Sequence, residues 1–257
     1  MATQQIPDPL ESSRRKVTRA EEHFGDLQRK VNEFGWSNPY ARVVEPHPDK
    51  ANHVVHKIKV TKEIPAPVAE IVADVAQNLR NALDNAAYAV AVAAGNPNPK
   101  NCSFPFAKSA ADMVSSIGRA KDLPLQIQSL FCGFQPYLGG NELLWALNEI
   151  CITDKHKMLI PIGNGVFRAS ANVSGTGYFS MPDPHVWNRA KNEMEIITLG
   201  PGAEYKCDFD FRLFVAFNEI QIVDGQPVPG VLERIGCMVN RILLGMEAEA
   251  RRLGYFK

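Results

Sequence analysis

The segment from Pro65 to about Ala94 constrains this chain most. Its apolar residues Val68, Ile71, Val72, Val75, Leu79, Leu83, Ala86 and Val90 recur at helical spacing and predict one long helix. Pro65 and Pro67 open it, as proline is tolerated in a first helical turn. From Ala86 to Gly95 the segment carries no charge and is mostly Ala and Val. A helix apolar all round is buried all round, so this one is expected at the centre of a helical bundle.

Two further helices carry narrower stripes. Between about Asp8 and Phe34 the apolar positions are Val17, Ala20, Phe24, Leu27, Val31 and Phe34. After Pro227–Gly230 they are Leu232, Ile235, Val239, Ile242 and Met246. Both sets alternate spacings of about three and four, the pattern of a helix packing on helices. Shorter helices are predicted over Ser109–Ile117, Pro124–Phe131 and, with Asn141 as N-cap, to about Lys155. Tyr40–Glu45 and Val54–Thr61 read as a small hairpin across a Pro-rich turn.

Beyond Lys155 the period changes from helical to alternating. Lys157–Ile162 and Val166–Val173 flank Asn164 and Gly165, a strong hairpin signal. Tyr178–Met181, Met194–Leu199 and Tyr205–Val223 also predict strands, the last with Phe209, Phe211, Leu213, Val215 and Phe217 on one face. The expected fold is α+β, a helical bundle packed with a mainly antiparallel β-sheet. Residues 1–7 are expected as a disordered tail and 8–257 as one domain. Its helical part spans about 8–156 with the hairpin at 40–61, its sheet about 157–223 and its closing helix about 230–252.

Several function classes lack their signatures. The chain has no GxxxxGK[ST], no GxGxxG between strand and helix, no GxSxG and no HExxH. No cofactor or metal is therefore expected. His53 and His56 lie three apart on a predicted strand, facing opposite sides, and His47 and His185 sit in Pro-rich loops. The longest uncharged apolar run, Ala86–Gly95, falls well short of the roughly 20 residues that span a bilayer, so no membrane partner is expected. The start MATQQIPDPLESSRRK has no apolar h-region, and the five cysteines form no CxxC pair. Both point to a cytoplasmic protein with reduced thiols.

The informative residues are polar ones inside the apolar helices. Asp74, Gln77, Asn81, Asp84, Asn85 and Tyr88 form a stripe opposite the core side of the long helix, with Arg80 and Asp84 one turn apart. In the helix predicted to reach Lys155, the apolar face Leu147, Ile150, Cys151 continues onto Asp154, while Asn148, Ile152 and His156 share a second face. An inward carboxylate needs a partner, and the planar guanidinium of Arg80 suits Asp154. Two readings stay open. Arg80 and Asp154, with Asn81, Asp84, Asn85 and Asn148, form a structural network where two helices meet. Alternatively they form a site in which His156 carries protons near neutral pH.

A resemblance enters on these residues. NLRNALDNAAYAV, Phe104–Phe106 (FPF), Phe134–Tyr137 (FQPY) and LWALNEICITDKHK resemble an uncharacterised family of bacterial proteins. Its members show an N-L-R-x-A-L-D-H helix and an L-x-E-x-x-x-x-D-K-H-[KR] segment. The likeness runs from roughly Arg19 to Met158, with a looser sheet-and-helix tail, and implies a fold but no activity. The chain departs from the pattern at Asn85, where the family carries His. Arg80 and Asn81 followed by Asn85 are also similar to the R-[polar]-x(3–5)-H signature of HEPN ribonucleases. Those are helical, usually dimeric and metal-independent, with Arg and His acting at the scissile phosphate and 2′-OH. This second resemblance implies Arg80 and His156 as catalytic, Asp84 and Asp154 as orienting residues, RNA as partner and a homodimer. Arg14, Arg15, Lys16 and Arg19 form a basic cluster that a nucleic acid would also suit, although Glu21, Glu22 and Asp26 offset it. The first expectation is a binding or scaffold protein with a structural polar core; the alternative is a HEPN-like RNA-binding or RNA-cleaving protein.

Overall fold

The computed structural model describes residues 8–153, 157–166, 172–174, 177–206 and 210–257. It is an α+β fold. The helices are α1 (Glu11–Trp36), α2 (Ala66–Ala93), α3 (Ala110–Ser116), α4 (Leu125–Gly133), α5 (Glu142–Ile152) and α6 (Val228–Arg252). A 3-10 turn, Ile117–Ala120, follows α3.

The long helices form where the periodicity placed them. Val17, Ala20, Leu27 and Phe34 of α1 are buried, as are Leu232, Ile235, Val239, Ile242 and Met246 of α6. Both helices pack on α2, which also meets α5. Alanines at 76, 82, 86, 87 and 91 are fully buried on α2 and let neighbouring helices approach closely. The uncharged end of α2 is nevertheless not buried all round: Tyr88 is 47 % and Val92 40 % exposed. Its small side chains serve close packing on one side, and nothing among the described residues covers the other.

The strands are β1 (Tyr40–Pro46), β2 (Val54–Val60), β3 (Leu159–Val166), β4 (Asn172–Ser174), β5 (Phe179–Ser180), β6 (Trp187–Asn188), β7 (Glu193–Leu199), β8 (Glu204–Lys206) and β9 (Asp210–Phe217). Among the described residues all six strand pairings are antiparallel. The strands form three sheets rather than one: β1-β2-β7-β5 with β6 also on β7, the ribbon β3-β9, and β4-β8. The 40–61 hairpin does not belong to the helical part. Its β2 pairs with β7, so it supplies two strands of the largest sheet.

The predicted turn at Asn164 and Gly165 is absent. Both residues lie inside β3, opposite Arg212 and Phe211. An Asn-Gly pair favours a turn only locally, and here the cross-strand pairing with β9 prevails. The neighbouring Gly163 explains part of that pairing. A Cβ there would lie 2.5 Å from both Phe211 Cζ and Trp187 Cζ3, so only glycine lets the two rings close over the strand. Val215 and Phe217 face inward as alternation required, Phe209 lies outside the described residues, and β9 ends at Phe217 rather than Val223.

Two cores result. The larger joins the bundle to Val215 and Phe217 of β9. The smaller gathers Ile58, Met194, Ile196, Ile197, Leu199 and Phe211, with Tyr40 and Trp187 packed against it. On alternate residues of β2, Lys57 donates to Glu45 Oε2 and Glu193 Oε1, each at 3.0 Å.

Candidate functional site

The polar stripe of α2 divides into an outer and an inner part. Asp74 and Gln77 are exposed, and Gln77 Nε2 donates to Asn81 Oδ1 at 2.9 Å. Asn85 turns toward α1, where its Nδ2 donates to Ser12 Oγ at 2.9 Å. Asp84 turns toward the 100–107 segment and accepts the Phe104 N–H at 2.8 Å. Burial raises the Asp84 carboxyl above its ordinary value; the Phe104 N–H and the charges of Arg80 and Arg119 pull the other way and lose.

Arg80, one turn before Asp84, lies over the Phe106 ring, its guanidinium carbon 5.2 Å from the centroid. It also reaches the Cys151 thiol of α5. Burial pushes that thiol up to about 11, outweighing the pull of Arg80, which favours the protonated thiol at neutral pH. The segment between Arg80 and Asp84 on one side and α4 on the other is held at several points. Lys100 and Asn101 N–H donate to Asp122 Oδ2 at 2.7 and 2.9 Å, and Ser103 N–H donates to Arg119 O at 3.0 Å. Phe104 stacks among Phe106, Phe131 and Phe134 at 5.2, 4.9 and 6.3 Å.

The structure therefore brings Arg80 and Asp84 together around Phe104–Phe106 and Cys151. It sends Asn85 to α1. Asn148 bonds its own neighbour, Nδ2 to Glu149 Oε1 at 3.4 Å, rather than the Arg80 group. Asp154 and His156 lie outside the described residues. α5 ends at Ile152, and its cap Thr153 is extended (φ −73°, ψ 144°) with its hydroxyl donating to Glu149 O. A threonine that bonds back to the preceding turn competes with helix continuation.

The partners of Arg80 that the sequence did not reveal are Phe106 and Cys151. Their signals were the FPF tripeptide and a cysteine on the apolar face of α5. The basic cluster of α1 is largely neutralised: Arg14 pairs with Asp8 at 2.7 Å and with Glu247, Arg15 with Glu11, and Arg19 with Glu22 at 2.7 Å. Trp36 is exposed, while Trp187 is half-buried and Phe256 buried. Their rings fill the small sheet core and the bundle core. His53 meets Tyr178 edge to face at 5.5 Å, His47 Nδ1 accepts the Asp49 and Lys50 N–H groups, and His185 Nε2 lies 3.1 Å from Ile196 O.

Among the described residues, no group of three or more His, Cys, Asp or Glu is placed to hold a metal ion. No helix among them is long and apolar enough to cross a membrane. No protein-family model matches the chain, and comparisons with curated proteins and with solved structures found no match.

Proposed function

We propose that this chain is a non-catalytic binding or scaffold protein whose polar helix core is structural. One observation carries the reading: the Asp84 carboxylate is taken up by the Phe104 N–H while Arg80 lies on Phe106 and reaches Cys151. These groups hold the 100–107 segment between α2 and α4. Asp84 is occupied by the Phe104 N–H and Arg80 lies on the Phe106 ring, contacts that tie both side chains to the segment they hold. We place the protein in a reducing cytoplasm, a reading supported by Cys102, Cys132, Cys151 and Cys237, all free thiols.

The test pairs folding with cleavage. Arg80→Ala is expected to lower stability by about 0.5–2 kcal/mol in chemical denaturation, through loss of its packing over the Phe106 ring. Wild-type protein is expected to leave a broad panel of single-stranded and hairpin RNAs uncut without metal. Metal-free cleavage that His156→Ala abolishes, with folding intact, would overturn the reading in favour of a HEPN-like nuclease.

A further inference from the structure

The exposed side of α6 is a ridge between two clefts. Glu233, Cys237 and Arg241 follow one another at four-residue spacing and are all exposed, so they form one row along the helix. On one side of the row a cleft of about 640 Å³ runs against α4 and α5, walled by Phe134, Leu143, Met238 and Ile242. On the other side a cleft of about 160 Å³ runs against α1 and α2, walled by Phe24, Leu79 and Leu232, with Gly236 keeping its floor low. Glu233 and Cys237 border both clefts. Leu244, seven residues beyond Cys237 and so on the same side of the helix, is 58 % exposed. A projecting row with an apolar groove at each flank suits helix packing, in which the four-spaced row of one helix enters the groove beside the same row of another.

The charges of the row identify what covers it. The other charged residues of α6 have partners: Arg234 donates to Gln226 Oε1, Glu247 pairs with Arg14 and Arg251, and Arg252 pairs with Glu249. Among the described residues Glu233 and Arg241 have neither an ion-pair nor a hydrogen-bond partner. They are opposite in sign and stand four residues to either side of Cys237. A two-fold axis at Cys237 that lays a second α6 antiparallel on the first therefore sets Glu233 of each copy opposite Arg241 of the other. A two-fold interface requires self-complementarity of this kind. A ligand or helix of one sign would meet one of the two charges and leave the other against its like. We infer that this ridge is the interface of a homodimer, with α6 packed antiparallel on α6 of a second copy. Glu233 pairs with Arg241 across the axis in both directions, and the flanking clefts take up side chains of the other copy. The rim charges set register and partner, while burial of Phe134, Met238 and Leu244 supplies the affinity.

The inference does not depend on the function proposed above, and RNA cleavage would leave it standing. The experiment is sedimentation velocity of the full chain at physiological salt, from about 1 to 100 μM. A concentration-dependent dimer is expected. Glu233→Arg and Arg241→Glu each set like charges against one another and are expected to weaken it at least about tenfold. The double variant Glu233→Arg/Arg241→Glu restores both pairs with their signs exchanged and is expected to recover the dimer. These positions are exposed, and unchanged melting curves verify the fold. A short bismaleimide is expected to couple wild-type chains through Cys237, an exposed free thiol, and to lose that coupling in Cys237→Ser. Five results would each overturn the assignment: a wild type monomeric throughout, a dimer indifferent to either single reversal, a double variant as weak as the singles, a dimer that the reagent leaves uncoupled, or coupling that survives Cys237→Ser.

Discussion

The bundle core and the sheet core of this protein are built on different principles. In the bundle, aliphatic side chains such as Leu27, Leu83, Leu147, Ile235 and Met246 are fully buried along regular helical stripes. Each contributes its own apolar area, and the total is spread over several helices. The sheet core has six buried residues, closed by two rings, and depends on the missing side chain of Gly163. β9 joins the two, with Phe211 in the small core and Val215 and Phe217 in the large one. Periodicity makes the bundle tolerant of drift along a stripe, whereas the sheet core depends on individual close contacts.

Substitutions in each region sharpen that contrast. The largest loss is expected for Leu83→Ala, a fully buried side chain on the central helix, at about 2–5 kcal/mol in urea denaturation. A loss below 1 kcal/mol would show that the bundle collapses around the cavity and is less tightly packed than its burial implies. Gly163→Ala comes next. Its methyl would meet Phe211 and Trp187 at 2.5 Å, a clash expected to cost about 1–3 kcal/mol. Near-UV circular dichroism of Trp187 should change with it, and an unaltered spectrum would sink the close-contact account of the sheet core.

The smallest effect concerns the seam between α2 and the 100–107 segment, and it depends on pH. Burial holds the folded Asp84 carboxyl above its ordinary value of 3.8. A raised value means the protonated form stabilises the fold below pH 3.8, and that contribution is lost as pH climbs through the raised value. Asp84→Asn keeps an oxygen for the Phe104 N–H and removes the titration. Its melting temperature is therefore expected to gain on that of the wild type as pH rises from below 3.8 toward neutrality. Parallel pH profiles for the two proteins would show that Asp84 is solvated in the folded state.

Much of the candidate site was legible as residue types and little of it as geometry. Arg80 and Asp84 stand out in sequence because they are charged on an otherwise apolar helix, and the structure places both against the 100–107 segment. The inward placement of Asp154 followed from extending one helix by a few residues. α5 ends at Ile152 with Thr153 as its cap, and Asp154 lies outside the described residues.

The sequence by itself determined the fold class, the long helices and the faces that they bury. Those follow from apolar period, proline at helix starts and capping, all of which act between residues a few positions apart. Tertiary structure alone decided that the 40–61 hairpin joins β7, that Asn164 and Gly165 continue a strand, and that Arg80 meets Phe106 and Cys151. In each case a contact between residues distant in the chain outweighed, or supplied, what the local pattern left unspecified. Such contacts depend on which surfaces meet, and no spacing along one segment encodes that.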